Sequence, residues 1–360
     1  MIVVAKIGTS SITDDLGHID VAAVTKVCTE VASLRAGGHR VVLVTSGAIA
    51  AGLPALGIPR PRDAVTLQAI SAVGQSRLMA VYDEQLAVHG LVGGQVLLAP
   101  LDFMVRQQYL HARGTLDRLL DLGVVPVVNE NDAIADDEIR FGDNDRIAAL
   151  VAHLVNAEVL VMLTDADGLY TADPKTDESA SLIAEIVEVD QALESAAGGT
   201  GSVRGSGGMA SKLAAAKIAA WSGVRAVIAR ADRPNVLVDA VAGDSVGTSF
   251  PPHDRRLAAR KLWIAFAVGS SGSIVVDDGA RRALVDAGKS LLPAGIVGVK
   301  GGFDADEAVE VTDEDGIVFA KGICRLDAAG IREILGRQTA DLRDGIPHEI
   351  IHRDDLVVLP

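Results

Sequence analysis

The chain has 360 residues, which suggests two domains or one large domain with an appendage, and 49% of them are hydrophobic, enough to fill a sizeable core. A formal net charge of −15 argues against non-specific binding to nucleic acid or to an anionic membrane over most of the surface. Aromatic residues make up only 3% and glycines number 37, so Ala, Val, Leu and Ile must fill the interior between tight turns, as in sheets covered by helices.

Ile2 to Ala5 reads as a buried strand, with Lys6-Ile7-Gly8-Thr9-Ser10-Ser11 as the loop leaving its end. The N-terminal segment is too short and too soon interrupted to serve as a signal peptide. A helix begins near Val21 behind an Asp20 cap, places Val21, Val24, Cys28, Val31 and Leu34 on one face, and stops at Gly37-Gly38. Val41 to Val44 is a second continuously apolar strand and runs into Thr45-Ser46-Gly47-Ala48. Strand, helix and strand of this kind indicate a parallel sheet. Helical patterns follow over Ala64 to His89 and Ala112 to Leu122, with a strand between them over Gly94 to Leu98.

The run Val124 to Val128 then delivers a stretch dense in carboxylates, from Asn129-Glu130-Asn131-Asp132 to Phe141-Gly142-Asp143-Asn144-Asp145. Polar residues at the end of a strand in an α/β sheet are where small molecules bind. The acids there would hold a cation: a ligand amino group, a metal or a pair of lysines. Asp136-Asp137-Glu138 reads instead as a solvated turn. Next come a helix over about Arg146 to Val155 and a strand over Val159 to Leu163, which ends in Thr164-Asp165. The most apolar window, Ile147 to Leu163, is broken by His153, Asn156 and Glu158, so it does not span a bilayer. Gly198 to Gly208 holds six glycines in eleven residues, ahead of a helix over Met209 to Trp221 and a strand over Ala226 to Ala229.

Pro251-Pro252-His253 marks a boundary, which divides the chain into a first domain over 1–252, a linker over 253–269 and a small β-rich module over 270–360. From Arg255 onward 14 Lys and Arg face 17 Asp and Glu, so the module is nearly balanced and the first domain holds most of the negative charge. The two cysteines, Cys28 and Cys324, stand in no metal or redox spacing and read as buried thiols of a reducing cytoplasm. Of the eight histidines only His348 and His352 stand at HxxxH spacing and none at HxxH, and no dedicated zinc site is expected.

Gly207-Gly208-Met209-Ala210-Ser211-Lys212 puts two glycines before a helix and a lysine in its first turn, so dipole, free amides and ammonium would point at one anion. The bland alternative is a flexible linker with an exposed lysine. The GxxxxGK[ST] spacing, a GxSxG elbow and a GxGxxG after the first strand are all missing. Phosphoryl transfer to a carboxylate needs none of them. A carboxylate with an ordinary pKa of about 4 is already ionised at neutral pH, and the obstacle is its repulsion by the phosphates. Two lysines and Mg²⁺ would offset that repulsion, with an aspartate between the lysines to fix their positions.

Lys6 to Ser10, Thr45 to Gly52, Ala72-Val73-Gly74-Gln75, Asn129 to Asp132, Gly142 to Asp145, Thr164 to Tyr170 and Gly207 to Lys212 together resemble, in order and spacing, the glutamate 5-kinase family of the amino acid kinase superfamily. The tail, with Ser290 to Ile296 and His352 to Asp355, resembles the PUA domain appended to many members. The resemblance implies an α/β fold, an open and mainly parallel sheet flanked by helices, followed by the β-rich PUA domain. It implies a cytoplasmic phosphotransferase that uses ATP, with Mg²⁺ delivered on the nucleotide, to convert L-glutamate to L-glutamyl 5-phosphate, the first step toward proline.

By the same resemblance Lys6, Lys212 and Asp145 are catalytic, with Asp145 orienting the lysines. Lys6, Thr164, Asp165, Ser206, Gly207, Gly208, Met209, Ala210, Ser211 and Lys212 bind ATP. Ser46, Asp132, Asp143 and Asn144 bind glutamate, the two acids pairing with its α-ammonium. Serine replaces the family's usual threonine at 206 and 211, which preserves a hydroxyl at each. Proline is the expected inhibitor, with the loop from Ala133 to Phe141 taking part, and a homo-oligomer, dimer or tetramer, is expected. A second class of reading is a nucleotide- or RNA-binding regulatory protein without kinase activity, but the nearly balanced tail lacks a basic excess.

Overall fold

The computed structural model describes the chain apart from residues 15–17, 104, 135–143, 173, 175, 178, 190–192, 194–207, 254–255, 268, 339–340, 343–346 and 360. It packs as two compact units, Met1–Arg256 and Leu257–Pro360. The first contains seven strands: β1 Ile2–Ile7, β2 Arg40–Thr45, β3 Gly93–Leu98, β4 Val125–Glu130, β5 Val159–Thr164, β6 Arg225–Arg230 and β7 Gly247–Phe250. They form one sheet in the order β3-β4-β2-β1-β5-β6-β7. All pairings are parallel except β6 with β7. The ends of β4, β2, β1 and β5 therefore stand side by side along one edge of the sheet.

Side chains alternate between the faces of a strand. Val3, Ala5 and Ile7 of β1 join Val41, Leu43, Val125, Val127, Val159 and Val161 in one core cluster. That cluster also takes Val24, Val27, Cys28, Val31 and Leu34 from helix α1, Val21–Ala36. Lys6 is out of phase with that set and faces the other side. The strand extends two residues beyond the predicted end, so Lys6 is a strand residue rather than part of a loop. Helix α1 is capped by Asp20, whose carboxylate accepts from the amides of Ala22 and Ala23, and ends at Gly37. Val21 does not share the buried face. It is 49% exposed because it occupies the first helical position, and Val27 and Glu30 are buried instead.

Helix α2, Ala48–Leu56, has no counterpart among the elements predicted from sequence. It contains Gly52 and Pro54, both poor helix formers, and is held by packing against α3, Ala64–Val88. A Cβ on Gly74 would lie 1.7 Å from the carbonyl oxygen of Ala48, and one on Gly52 would lie 2.2 Å from that of Ile70. The backbones of the two helices thus touch directly. Helix α4 is longer than expected at its start, Arg106–Asp121. Helix α5, Asn144–Leu154, and helix α6, Met209–Trp221, complete the elements that bear on the site.

The second unit is built on a five-stranded sheet in the order β12-β11-β10-β8-β9. Its strands are β8 Gly272–Val276, β9 Ile296–Gly301, β10 Ala308–Thr312, β11 Val318–Ile323 and β12 Leu356–Val358. Helices lie at Asp278–Val285 and Ala328–Ile334. Ile274, Val309, Ile331, Ile350 and Leu356 are among its buried core. Among the described residues no helix is long and apolar enough to cross a membrane.

Two helical glycines give opposite expectations. Gly74→Ala should lower the unfolding free energy by about 1–3 kcal/mol, the cost of overpacking, because its Cβ meets backbone. Gly114 of α4 has open space around it, so Gly114→Ala should raise stability by about 0.5–1 kcal/mol. Urea titration of both variants against the parent chain measures the two shifts.

Candidate active site

Three elements converge on one carboxylate. Lys6 from β1 reaches Asp145 Oδ1 at 2.6 Å, and Lys212 from α6 reaches Asp145 Oδ2 at 3.2 Å. The Ser211 hydroxyl donates to Oδ2 as well, at 2.6 Å. The relative exposures of Lys6, Lys212 and Asp145 are 4%, 5% and 1%, so these charges meet out of bulk water. Burial alone would raise the Asp145 carboxyl, but the ammonium groups of Lys6 and Lys212 outweigh it and hold the carboxyl far below the ordinary carboxylate range. Asp145 sits in the first turn of α5, where the helix dipole also favours an anion. The strand phase of Lys6 and the first-turn positions of Asp145 and Lys212 bring three distant residues to one point.

Gly208, the N-cap of α6, offers no side chain to cap the helix, and no acid stands in the first turn. The amides opening α6 therefore face the same region as Lys212, the arrangement that binds phosphate oxygens. Met209 and Ala210 fill that first turn. Thr164 ends β5, beside β1, and its hydroxyl donates to the carboxylate of Asp165 at 3.1 Å.

On the other side of β1, a second polar layer covers the ends of β2 and β4. Asn144, the residue before Asp145, donates from Nδ2 to Ser46 Oγ at 3.2 Å and accepts at Oδ1 from the Glu130 amide at 3.1 Å. Asn129 Oδ1 shares that amide at 2.9 Å. Asp132 is buried and accepts from the Ser71 hydroxyl at 2.9 Å. Burial raises its carboxyl above the ordinary value, and the Ser71 bond offsets part of that rise. Of the residues singled out from sequence, Lys6, Lys212, Asp145 and Ser211 form one cluster, and Ser46, Asn144 and Asp132 lie with the adjacent layer. Asp143, Ser206 and Gly207 lie outside the described residues, as do 135–141 of the loop after Ile134 and the acidic turn within it.

The α3 contribution to this layer does not follow from the sequence pattern. Ser71 and Gln75, one helical turn apart, bond Asp132 and Asn129 respectively. The only signal is that Gln75 closes the Ala72-Val73-Gly74-Gln75 segment. Cys28 and Cys324 are buried free thiols, each pushed up to about 12 by burial, and are inert at neutral pH. Among the described residues no group of three or more His, Cys, Asp or Glu side chains is arranged to hold a metal ion.

The depressed Asp145 carboxyl has a consequence for stability. Its contribution is full above the unfolded value of about 4 and is lost as pH falls through the folded value. Asp145→Asn should therefore flatten the acid limb of the stability-against-pH curve. At neutral pH it should cost about 3–5 kcal/mol, because two buried ammonium groups lose their counter-charge. Thermal melts of both proteins from pH 7 down to pH 3 compare the curves.

The amino acid kinase family profile matches residues 1–230 and the PUA domain profile residues 272–346. The chain is 46% identical over 362 residues to the glutamate 5-kinase of Geobacter sp. (strain M21), covering 99% of this chain and 97% of the relative. It is 47% identical over 363 residues to that of Bifidobacterium adolescentis, covering 99% and 95%. A solved isopentenyl phosphate kinase shares the fold of the first unit at a TM-score of 0.50 and 17% identity, covering 69% of this chain and all of that one. Shared fold, shared domain order and near-full-length similarity agree: the chain belongs to the amino acid kinase family, in its PUA-bearing glutamate 5-kinase branch.

Proposed function

We propose that the protein transfers the γ-phosphoryl group of ATP to the side-chain carboxylate of L-glutamate, giving ADP and L-glutamyl 5-phosphate. The observation that carries this reading is the buried pair of ammonium groups, Lys6 and Lys212, fixed on Asp145. A carboxylate oxygen attacks the γ-phosphorus while the bond to the β-phosphate bridge oxygen breaks. Both partners are anions, so the barrier is set by repulsion and by charge spreading over the transferring group. Preorganised cations in a site shielded from water act where that charge develops. Asp145 keeps the two lysines in place and needs no proton to do so.

The acceptor lies over β2. From β1 to β4 is two strand spacings, about 10 Å, a span that suits a glutamate with its γ-carboxylate toward Lys6 and its α-carbon near Asp132. Asp132 and Asp143 take the α-ammonium, and Ser46 and Asn144 fix the remainder. The amides and side chains of Ser206, Gly207, Gly208, Met209, Ala210, Ser211 and Lys212, with Thr164 and Asp165, receive the nucleotide. Mg²⁺ enters as part of the nucleotide substrate and neutralises phosphate charge there. On this reading the product feeds proline synthesis in the cytoplasm. Proline competes at or beside the glutamate layer through the loop from Ala133 to Phe141, and the working enzyme is a homo-oligomer.

ADP release measured with L-glutamate, L-aspartate, N-acetyl-L-glutamate and UMP tests the acceptor. Turnover is expected with L-glutamate, and activity on N-acetyl-L-glutamate alone would refute the choice. Lys212→Ala should lower kcat by about 100-fold or more, the usual loss when a transition-state charge partner is removed, with the fold retained by circular dichroism. Because the Asp132 carboxyl is raised and pairs with the ammonium only when ionised, KM for L-glutamate should rise as pH falls toward that raised value. Asp132→Asn should have a high KM at every pH and lose that limb.

A further inference from the structure

The polar layer over β4 contains a donor that its neighbours leave unused. Gln75 is 8% exposed. Its Oε1 accepts from Asn129 Nδ2 at 2.8 Å, and the assignment of that amide is forced. Asn129 Oδ1 already accepts from the Glu130 amide, so Asn129 must present its N–H to Gln75, and Gln75 must answer with oxygen. That leaves Gln75 Nε2 as a buried donor with no hydrogen-bond partner among the described residues. An uncompensated buried donor is costly and calls for an explanation, and beside the layer that faces the acceptor a ligand can supply the missing oxygen.

We propose that Gln75 selects the acceptor amino acid by donating from Nε2 to its α-carboxylate. The inference rests on the kinase reading above. An amino acid bound by its α-ammonium places an α-carboxylate beside that ammonium, and the layer's acids do not serve it. Ser71 and Gln75 are neighbours on one face of α3, one turn apart. Ser71 holds Asp132, which takes the ammonium, and Gln75 stands one turn along to take the carboxylate. The contact is made through the bound amino acid and not through the phosphates, so Gln75 governs which acceptor is used and leaves the nucleotide alone. Gln75→Glu keeps an oxygen for Asn129 and turns the donor into an acceptor of the same shape.

The test compares L-glutamate with L-glutamic acid 1-amide, whose γ-carboxylate is intact and whose α-carboxamide can donate. In Gln75→Glu, kcat/KM for L-glutamate should fall by about 10- to 100-fold, the range for losing a hydrogen bond to a charged group. The 1-amide should gain or hold its value, and KM for ATP should stay within about twofold. Equal losses on both acceptors, or no loss on either, would overturn the role of Gln75 and leave the kinase reading standing. A parent enzyme that releases no ADP with L-glutamate would end both. Should Gln75→Glu melt early, Gln75→Met takes its place in the comparison. It is expected to raise KM for L-glutamate by about tenfold or more, with a change of about a third of that or less for the 1-amide. An equal change on both would reject the contact.

Discussion

A carboxylate shared by two buried ammonium groups is the constraint around which the first unit is arranged. Neither lysine would be tolerated in its position alone, since an unpaired buried charge costs several kcal/mol. With Asp145 between them, each has a strong partner, at 2.6 and 3.2 Å. The fold meets this constraint with simple means. Strand phase turns Lys6 away from the α1 and α3 face, and the first turns of α5 and α6 deliver Asp145 and Lys212 to the same edge. The parallel order of β4, β2, β1 and β5 then lines up everything else.

The site divides its electrostatic labour along the sheet edge. Around β1 and β5, ammonium groups and uncapped amides suit phosphate. Around β2 and β4, carboxylates and amides suit a zwitterionic amino acid. The two environments push their acids in opposite directions. Asp145 is held far below the ordinary range by its lysines, while Asp132 is raised by burial. An acid that fixes two cations and a buried acid with only a hydroxyl partner are thus told apart by their surroundings.

Much of this is legible in the sequence because it is written in local rules. The Asp20 cap, the glycine stop of α1, the apolar strands and the start of α6 at Met209 all follow from caps, turns and periodicity. The two lysines and the aspartate stand out because strand ends and a glycine-led helix have a stated chemistry. What is not legible is tertiary in origin. Helix α2 carries Gly52 and Pro54 among its alanines and leucines and holds because α3 lies against it, and no local signal reports that. Ser71 and Gln75 sit in the interior of a long helix, where polar residues usually mean solvent. Only the placement of α3 beside the end of β4 turns them into partners of Asp132 and Asn129. Val21 fits the apolar period of α1 yet lies exposed, because a helical period says nothing about how far along the helix the covering elements extend.

The bare backbone contact between α2 and α3 has a bearing on how the enzyme can diversify. Ser46 leads into one of these helices and Gln75 belongs to the other, so the separation of these two side chains is set by main-chain atoms at Gly52 and Gly74. Main-chain spacing cannot be relaxed by trading one side chain for another of different size. A change that widens the space between Ser46 and Gln75 must therefore come from elsewhere in the chain and leave the paired helices untouched.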